Sequence, residues 1–219
     1  MTDLKCKVDD NYFQAIDSEE KAYFLGFIMA DGGLLKGSHT SEYIRVGIHL
    51  NVGDIDILEK FKEAIKSNHT IFIGNKYNDC ALRFVSRQMV SDLMSYGVTP
   101  KKTGREKLIT TYIPDHLYRH LIRGLIDGDG WISSGEYNGR VISSIGLCGS
   151  YDICNFVQSE LHKAIGVGPL KVSKVKDKNC YKIGYSSFYD QKRIARYLYS
   201  GSTVYLNRKY VLTKQMYGI

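Results

Sequence analysis

The sequence predicts an α+β fold built from two pseudo-symmetric halves, each running helix, hairpin, helix, hairpin, helix. Three observations carry that expectation. An apolar run ending in Asp-Gly occurs twice, as Phe27-Ile28-Met29-Ala30-Asp31-Gly32-Gly33 and as Leu125-Ile126-Asp127-Gly128-Asp129-Gly130-Trp131. The two later acids, Asp31 and Asp129, lie 98 residues apart, and other features recur at a similar interval. Between them, segments with apolar residues at every second position alternate with amphipathic stretches.

Asp17 and Glu20 form a capping box for a first helix ending near Ala30. Along Tyr43–Leu50, Ile44, Val46, Ile48 and Leu50 share one face, and Tyr43, Arg45, Gly47 and His49 share the other. This pattern predicts a strand with one face on a core and one open. Residues 54–66 form an amphipathic helix through Ile57, Leu58, Phe61 and Ile65. The segment from Asn78 to Ser86 leads into a helix around Met89–Met94 that stops near Gly97. The second half repeats the order. Pro114 and Asp115 precede the second motif helix, which Asp115 caps. Val141, Ser143, Ile145 and Leu147 alternate with Arg140, Ile142, Ser144 and Gly146, and residues 152–166 form the next amphipathic helix. The segment from Lys178 to Ser186 echoes 78–86 and leads into a helix around Ile194–Tyr199 that stops near Gly201. The predicted division is 1–104 and 105–219.

Composition narrows the function classes. No apolar run approaches the roughly 20 residues of a membrane span, and the charged N-terminus has no signal-peptide core. Five scattered cysteines without a CxxC pair point to a reducing compartment, cytoplasm or organelle matrix, rather than secretion. Residues 1–100 carry 11 Lys/Arg against 14 Asp/Glu, whereas residues 101–219 carry 19 against 9. A basic half suits a polyanionic partner.

The motif helices explain each other. Gly26 and Ala30 are four residues apart, as are Gly124 and Gly128, so each pair lies on one helix face. Small residues at this spacing let two backbones approach closely, which offsets the cost of helical glycine, about 1 kcal/mol. If the two helices pack in parallel, Asp31 and Asp129 meet at two negative helix ends. A hard cation such as Mg²⁺ relieves that repulsion. Gly32 and Gly130 are expected to supply left-handed turns, exposing the Ala30 and Gly128 carbonyls as further ligands. A single Asp-Gly would be only a turn signal; its repetition makes it more. An EF-hand reading of Asp127–Gly130 fails, because Trp131 and Asn138 stand where that loop needs oxygen ligands. His116 and His120 lack the glutamate and third ligand of a metal pair.

These segments resemble the two motifs of the LAGLIDADG homing endonucleases, mapping onto Phe24–Gly32 and Ile122–Gly130. The first departs at Met29, where the motif has its earlier acid. The resemblance covers nearly the whole chain. It implies a single-chain, two-repeat protein of αββαββα halves, with the motif helices at the centre and two antiparallel β-saddles forming a DNA-binding groove. It also implies Mg²⁺-dependent hydrolysis of one phosphodiester per strand, leaving 3′ overhangs. Asp31 and Asp129 would be catalytic and would hold two or three Mg²⁺ ions, for which Mn²⁺ can substitute. Lys102 and Lys209, at matching repeat positions, are the candidate basic residues beside the acids.

Under that resemblance, the open sheet faces meet double-stranded DNA, since a two-stranded ribbon fits the major groove. Tyr43, Arg45, His49, Arg83, Arg140, Ser144, Lys171 and Lys182 are the candidate contacts. The chain is expected to act as a monomer without a protein partner. Competing readings are a non-cleaving regulator, an intron maturase and an intein-borne endonuclease. Both acids are present, no segment is left for an added helix-turn-helix domain, and no His-Asn splicing block ends the chain. These features favour a free-standing enzyme and leave open a maturase activity beside cleavage.

Overall fold

Residues 6–36, 44–100 and 107–219 are described by the computed structural model. Helix α1 (Glu19–Ala30) is followed by strands β1 (Gly32–Lys36) and β2 (Ile44–Asn51), helix α2 (Ile55–Ala64), strands β3 (Phe72–Ile73) and β4 (Asp79–Phe84), and helix α3 (Arg87–Ser95). The order then repeats: α4 (Tyr118–Asp129), β5 (Gly130–Tyr137), β6 (Arg140–Gly149), α5 (Tyr151–Ile165), β7 (Ser173–Lys174), β8 (Tyr181–Tyr185) and α6 (Phe188–Tyr199). A further helix, α7 (Asn207–Tyr217), has no counterpart among the described residues of the first half. The two sheets are antiparallel and equivalent, β1-β2-β4-β3 and β5-β6-β8-β7. The predicted αββαββα repeat is therefore present, with one helix added.

Period-two patterning sets the faces of the first sheet. Val46, Ile48 and Leu50 are buried, and Arg45 and His49 are exposed. In the second sheet Ile145 and Leu147 are buried, but Val141, predicted to share their face, is 79% exposed. The longer β5–β6 hairpin simply outruns the core at that end. Gly97 and Gly201 adopt φ of 97° and 69°, after α3 and α6, at the predicted stops. Only glycine takes up this conformation without steric cost.

Two capping expectations fail. The cap of α1 is Ser18, whose side chain accepts from Lys21 N–H at 3.3 Å, while Asp17 pairs with the Lys21 ammonium at 3.0 Å. Asp115 lies in a 3₁₀ turn (Asp115–Leu117) ahead of α4 and binds Lys163 at 3.3 Å; Leu117 precedes α4 with no side-chain cap. The turn inserts three residues between Pro114 and the helix, which moves Asp115 out of capping reach.

Helices α1 and α4 make the most extensive contact between elements among the described residues. They run parallel, and their backbones touch. A Cβ on Gly26 would overlap the Leu121 carbonyl oxygen and stand 3.1 Å from Leu125 N. One on Gly124 would overlap the Tyr23 carbonyl oxygen and stand 2.8 Å from Phe27 N. One on Gly128 would overlap Ala30 Cβ and stand 3.2 Å from Asp31 N. The small residues are thus the seam, as predicted. Gly26→Ala and Gly124→Ala are each expected to lower the unfolding free energy by about 1–3 kcal/mol, the usual cost of overpacking. At Gly135 a Cβ meets nothing within 4 Å, so Gly135→Ala is expected to be neutral. Urea denaturation of the three variants checks the contrast.

Candidate active site and nucleic-acid interface

The parallel seam brings the C-terminal ends of α1 and α4 together. Asp31 caps α1, with its N–H donating to Phe27 O at 2.9 Å, and it is half-buried. Asp129 is the last residue of α4 and is exposed. Contact between Gly128 and the Asp31 backbone places the two acids at one end of the helix pair. The expected left-handed turns are absent: Asp31 is right-handed helical, and Gly130 is extended at φ −93°. Gly32 and Gly130 instead open β1 and β5, where a Cβ would stand 2.8 Å from Ile28 Cα and 2.7 Å from Gly146 O. Glycine is required there for close approach of the chain, not for its handedness.

Among the described residues, no group of three or more His, Cys, Asp or Glu side chains is assembled to hold a metal. The donor set is two carboxylates at two helix ends. Hard oxygen donors in small number fit Mg²⁺, which keeps waters and takes substrate phosphates as its remaining ligands. Of the two carbonyl candidates, Ala30 belongs to a residue only 7% exposed. Gly128 O lies 3.5 Å from Lys209 Nζ.

Lys209 comes from α7 and is 4% exposed. Its ammonium donates to the carbonyls of Ile126 at 2.6 Å, Asp127 at 2.8 Å and Gly130 at 2.7 Å. It therefore caps the C-terminus of α4 with a full positive charge where the helix dipole is negative. Burial pulls its pKa from the ordinary 10.5 down to about 8, against the opposing pull of Asp127 and Asp31. It remains charged at neutral pH. Lys102, its candidate counterpart in the repeat, lies outside the described residues, as does Tyr43.

The outer face of the first sheet carries Arg45, opposite Leu35, and Arg83, opposite Gly47. Both arginines are exposed and line one open cleft with Lys7 and His69. His49 is exposed but engaged, its Nε2 lying 2.5 Å from Asp79 Oδ2. On the second sheet Lys182 faces outward opposite Cys148 and Ser173, and Arg140 is exposed near the β5–β6 turn. Ser144 is half-buried and accepts from Trp131 Nε1 at 2.8 Å. Lys171 is exposed but precedes β7 rather than standing on a sheet face.

No protein-family model matches this chain, and no curated protein matches it. Solved structures do. The LAGLIDADG homing endonuclease I-LtrWI bound to target DNA aligns over 95% of this chain and 90% of its own, with TM-score 0.63 and 11% identity. The LAGLIDADG meganuclease I-AabMI bound to uncleaved DNA aligns over 88% and 87%, with TM-score 0.61 and 14% identity. I-SmaMI, a LAGLIDADG homing endonuclease bound to cleaved DNA, aligns over 91% and 88%, with TM-score 0.62 and 12% identity. The chain has the LAGLIDADG homing endonuclease fold.

Within this LAGLIDADG fold, sequence reasoning missed a buried polar network behind the acids. Asp127, fully buried, accepts from Tyr23 Oη at 2.9 Å, Tyr199 Oη at 2.6 Å and Leu206 N–H at 2.8 Å. Burial pushes its pKa up, while those bonds and Lys209 pull it down. Arg123, also fully buried, donates to Val204 O at 2.9 Å, Leu198 O at 2.8 Å and Glu19 Oε1 at 2.7 Å. It also approaches His120 Nδ1 at 2.9 Å, and burial, then Arg123, lowers the His120 pKa to about 4. Arg208 spans to the first half, its Nε lying 2.9 Å from Asp54 Oδ1. The signal available in advance was an arginine and an aspartate inside an otherwise apolar motif helix, since buried charges must be paired.

Lys209→Met leaves the α4 carbonyls without their cation. It is expected to cost about 2–3 kcal/mol of stability, the scale of charge-assisted hydrogen bonds. Because the folded pKa lies below 10.5, the unfolded chain holds this proton more tightly. Stability from this group therefore rises with pH between about 8 and 10.5. Denaturant unfolding across that window should show the wild type gaining on Lys209→Met; a constant gap contradicts the burial of the charge.

Proposed function

We propose that this protein is a site-specific DNA endonuclease that makes a double-strand break by hydrolysing one phosphodiester on each strand. The observation that carries the reading is the pair of acids, one per repeat, brought to one end of a pseudo-symmetric helix seam between two sheets with basic outer faces. Two strands of a duplex are related by a comparable dyad, so one acid per half matches one scissile bond per strand. The DNA-bound structures that share the fold support it.

Asp31 and Asp129 would hold Mg²⁺, with Mn²⁺ as an alternative. Bound there, the metal supplies Lewis acidity and a water of lowered pKa. The chain's own residues do the rest. Lys209 holds the α4 terminus, and with it Asp129, in a fixed position. Arg45, Arg83, Arg140 and Lys182 hold phosphates or read base edges from the sheet faces. The overhangs are proposed to be 3′, and the target a long one spanning both sheets. The protein is proposed to act as a single chain, in cytoplasm or an organelle matrix. No described helix is long and apolar enough to cross a membrane.

A randomised duplex library incubated with the protein and Mg²⁺, followed by sequencing of cut ends, tests the reading. Asp31→Asn and Asp129→Asn are each expected to abolish double-strand cleavage while duplex binding persists. Cutting that survives both changes rejects the assignment of the acids. Binding should also fall steeply with salt, since each neutralised phosphate contributes a slope of about −0.9 in log K against log salt. A flat response rejects the DNA partner.

A further inference from the structure

We infer that Trp131, Ser144 and Ser133 form a hydrogen-bond relay that makes Ser133 a fixed donor to a base edge in the major groove, and hence a specificity-determining unit confined to the second half. This rests on the proposed reading of the sheets as the DNA-binding surface.

The relay begins with packing. A Cβ on Gly146 would overlap Trp131 Cζ2, and one on Gly184 would stand 3.1 Å from it. These two glycines are partners across β6 and β8, and Trp131 is the β5 partner of Gly146. The indole therefore lies flat across three strands on the outer face, and its position is set by the absence of two side chains. That fixes Nε1, which donates to Ser144 Oγ at 2.8 Å. Ser144 Oγ in turn lies 3.0 Å from Ser133 Oγ, its cross-strand partner.

Proton direction follows from the donor inventory. Indole N–H only donates, so Ser144 must accept from it. Either hydroxyl can donate across the Ser133–Ser144 pair; the cooperative arrangement is head to tail, with Ser144 donating to Ser133 Oγ. Ser133 is exposed, so in that arrangement its own hydroxyl hydrogen is left for an acceptor outside the sheet. A lone serine can donate or accept and so reads a base edge ambiguously. This one is biased towards donation. Guanine, adenine and thymine each present an acceptor in the major groove, whereas cytosine presents an amino donor. Ser133 should therefore disfavour cytosine at the base it faces. The first half has no equivalent, because Gly33 occupies the position matching Trp131 in the repeat.

The test is selection of bound duplexes from a randomised library by the full chain without added metal, comparing base preferences. The unaltered protein should show one position, in one half-site, where cytosine is disfavoured by about threefold to tenfold, the worth of one hydrogen bond. Ser133→Ala should erase that preference, and so should Trp131→Phe, which keeps a ring over the glycines but has no N–H. Preferences elsewhere should stay unchanged. Selective binding with the same profile in both variants, or with all positions weakened equally, overturns the relay and leaves the DNA reading standing. Absence of any selective binding by the unaltered chain overturns both.

Discussion

Two helices can touch backbone to backbone only where neither carries a side chain, and this constraint organises the molecule. Gly26, Gly124 and Gly128 remove the Cβ atoms that would otherwise strike Leu121, Tyr23 and Ala30. Ordinary helix pairs stand 8–10 Å apart according to the side chains between them; a glycine seam closes that gap. The seam settles where everything else can go. Each motif helix runs directly into its own sheet, with Asp31 followed by β1 and Asp129 by β5. Helix register therefore determines both the separation of the two acids and the placement of the two sheets on either side of them.

The same closeness creates an electrostatic problem. Two helix C-termini converge, each carrying the negative end of a helix dipole and a carboxylate. One part of the solution is internal. Lys209 brings a buried ammonium to the end of α4, where it binds the carbonyls of Ile126, Asp127 and Gly130. Its neighbour Arg208 reaches across to Asp54, so one turn of α7 ties the second motif helix to the first half. Asp127 and Arg123 sit deeper in α4 as a rigid polar spine, bonded to the segment that leads into α7. Partly satisfied buried charges would loosen this region, whereas fully bonded ones hold it in one arrangement. Asp31 and Asp129 lie at the same end of the seam, where on the proposed function a cation would bind.

Legibility in the sequence followed the range of the interactions. Features encoded within a few residues were readable: the small-residue spacing on each motif helix, the alternation along β2 and the stops at Gly97 and Gly201. Repetition extended that reach, because two occurrences of one pattern justified pairing helices 98 residues apart in sequence. Local choices between adjacent residues were less secure. Asp17 and Ser18 are both good caps, and the extra 3₁₀ turn that displaced Asp115 has no sharp signal. Contacts between distant, unrepeated residues were not legible. Arg123 with Glu19, Asp127 with Tyr199, and Lys209 with the end of α4 join positions 104, 72 and about 80 residues apart, with no periodicity to link them. Lys209 is a candidate from its repeat position alone, and its capping geometry depends on α7, which the repeat does not predict.

Where the repeat is broken, the departures are informative. The sheets keep the same strand order and the same register: Gly33, Gly47 and Arg83 lie side by side in the first, and Trp131, Gly146 and Gly184 lie side by side in the second. The backbone row is conserved between the halves, but its side chains are not. In the first half the row carries a cation on β4, and the side chain of Leu35 lies over Gly47. In the second it carries an aromatic plate on β5 covering two glycines and orienting two serines. A guanidinium offers several fixed donors and long reach, whereas the indole and hydroxyls offer a short, nearly flat surface with one directed proton. On the proposed function, two surfaces so different at matched positions cannot favour the same base sequence in both half-sites. The symmetry that brings one acid from each half to the seam is therefore retained in the helices and abandoned on the sheet faces, which on the proposed function would suit an asymmetric target.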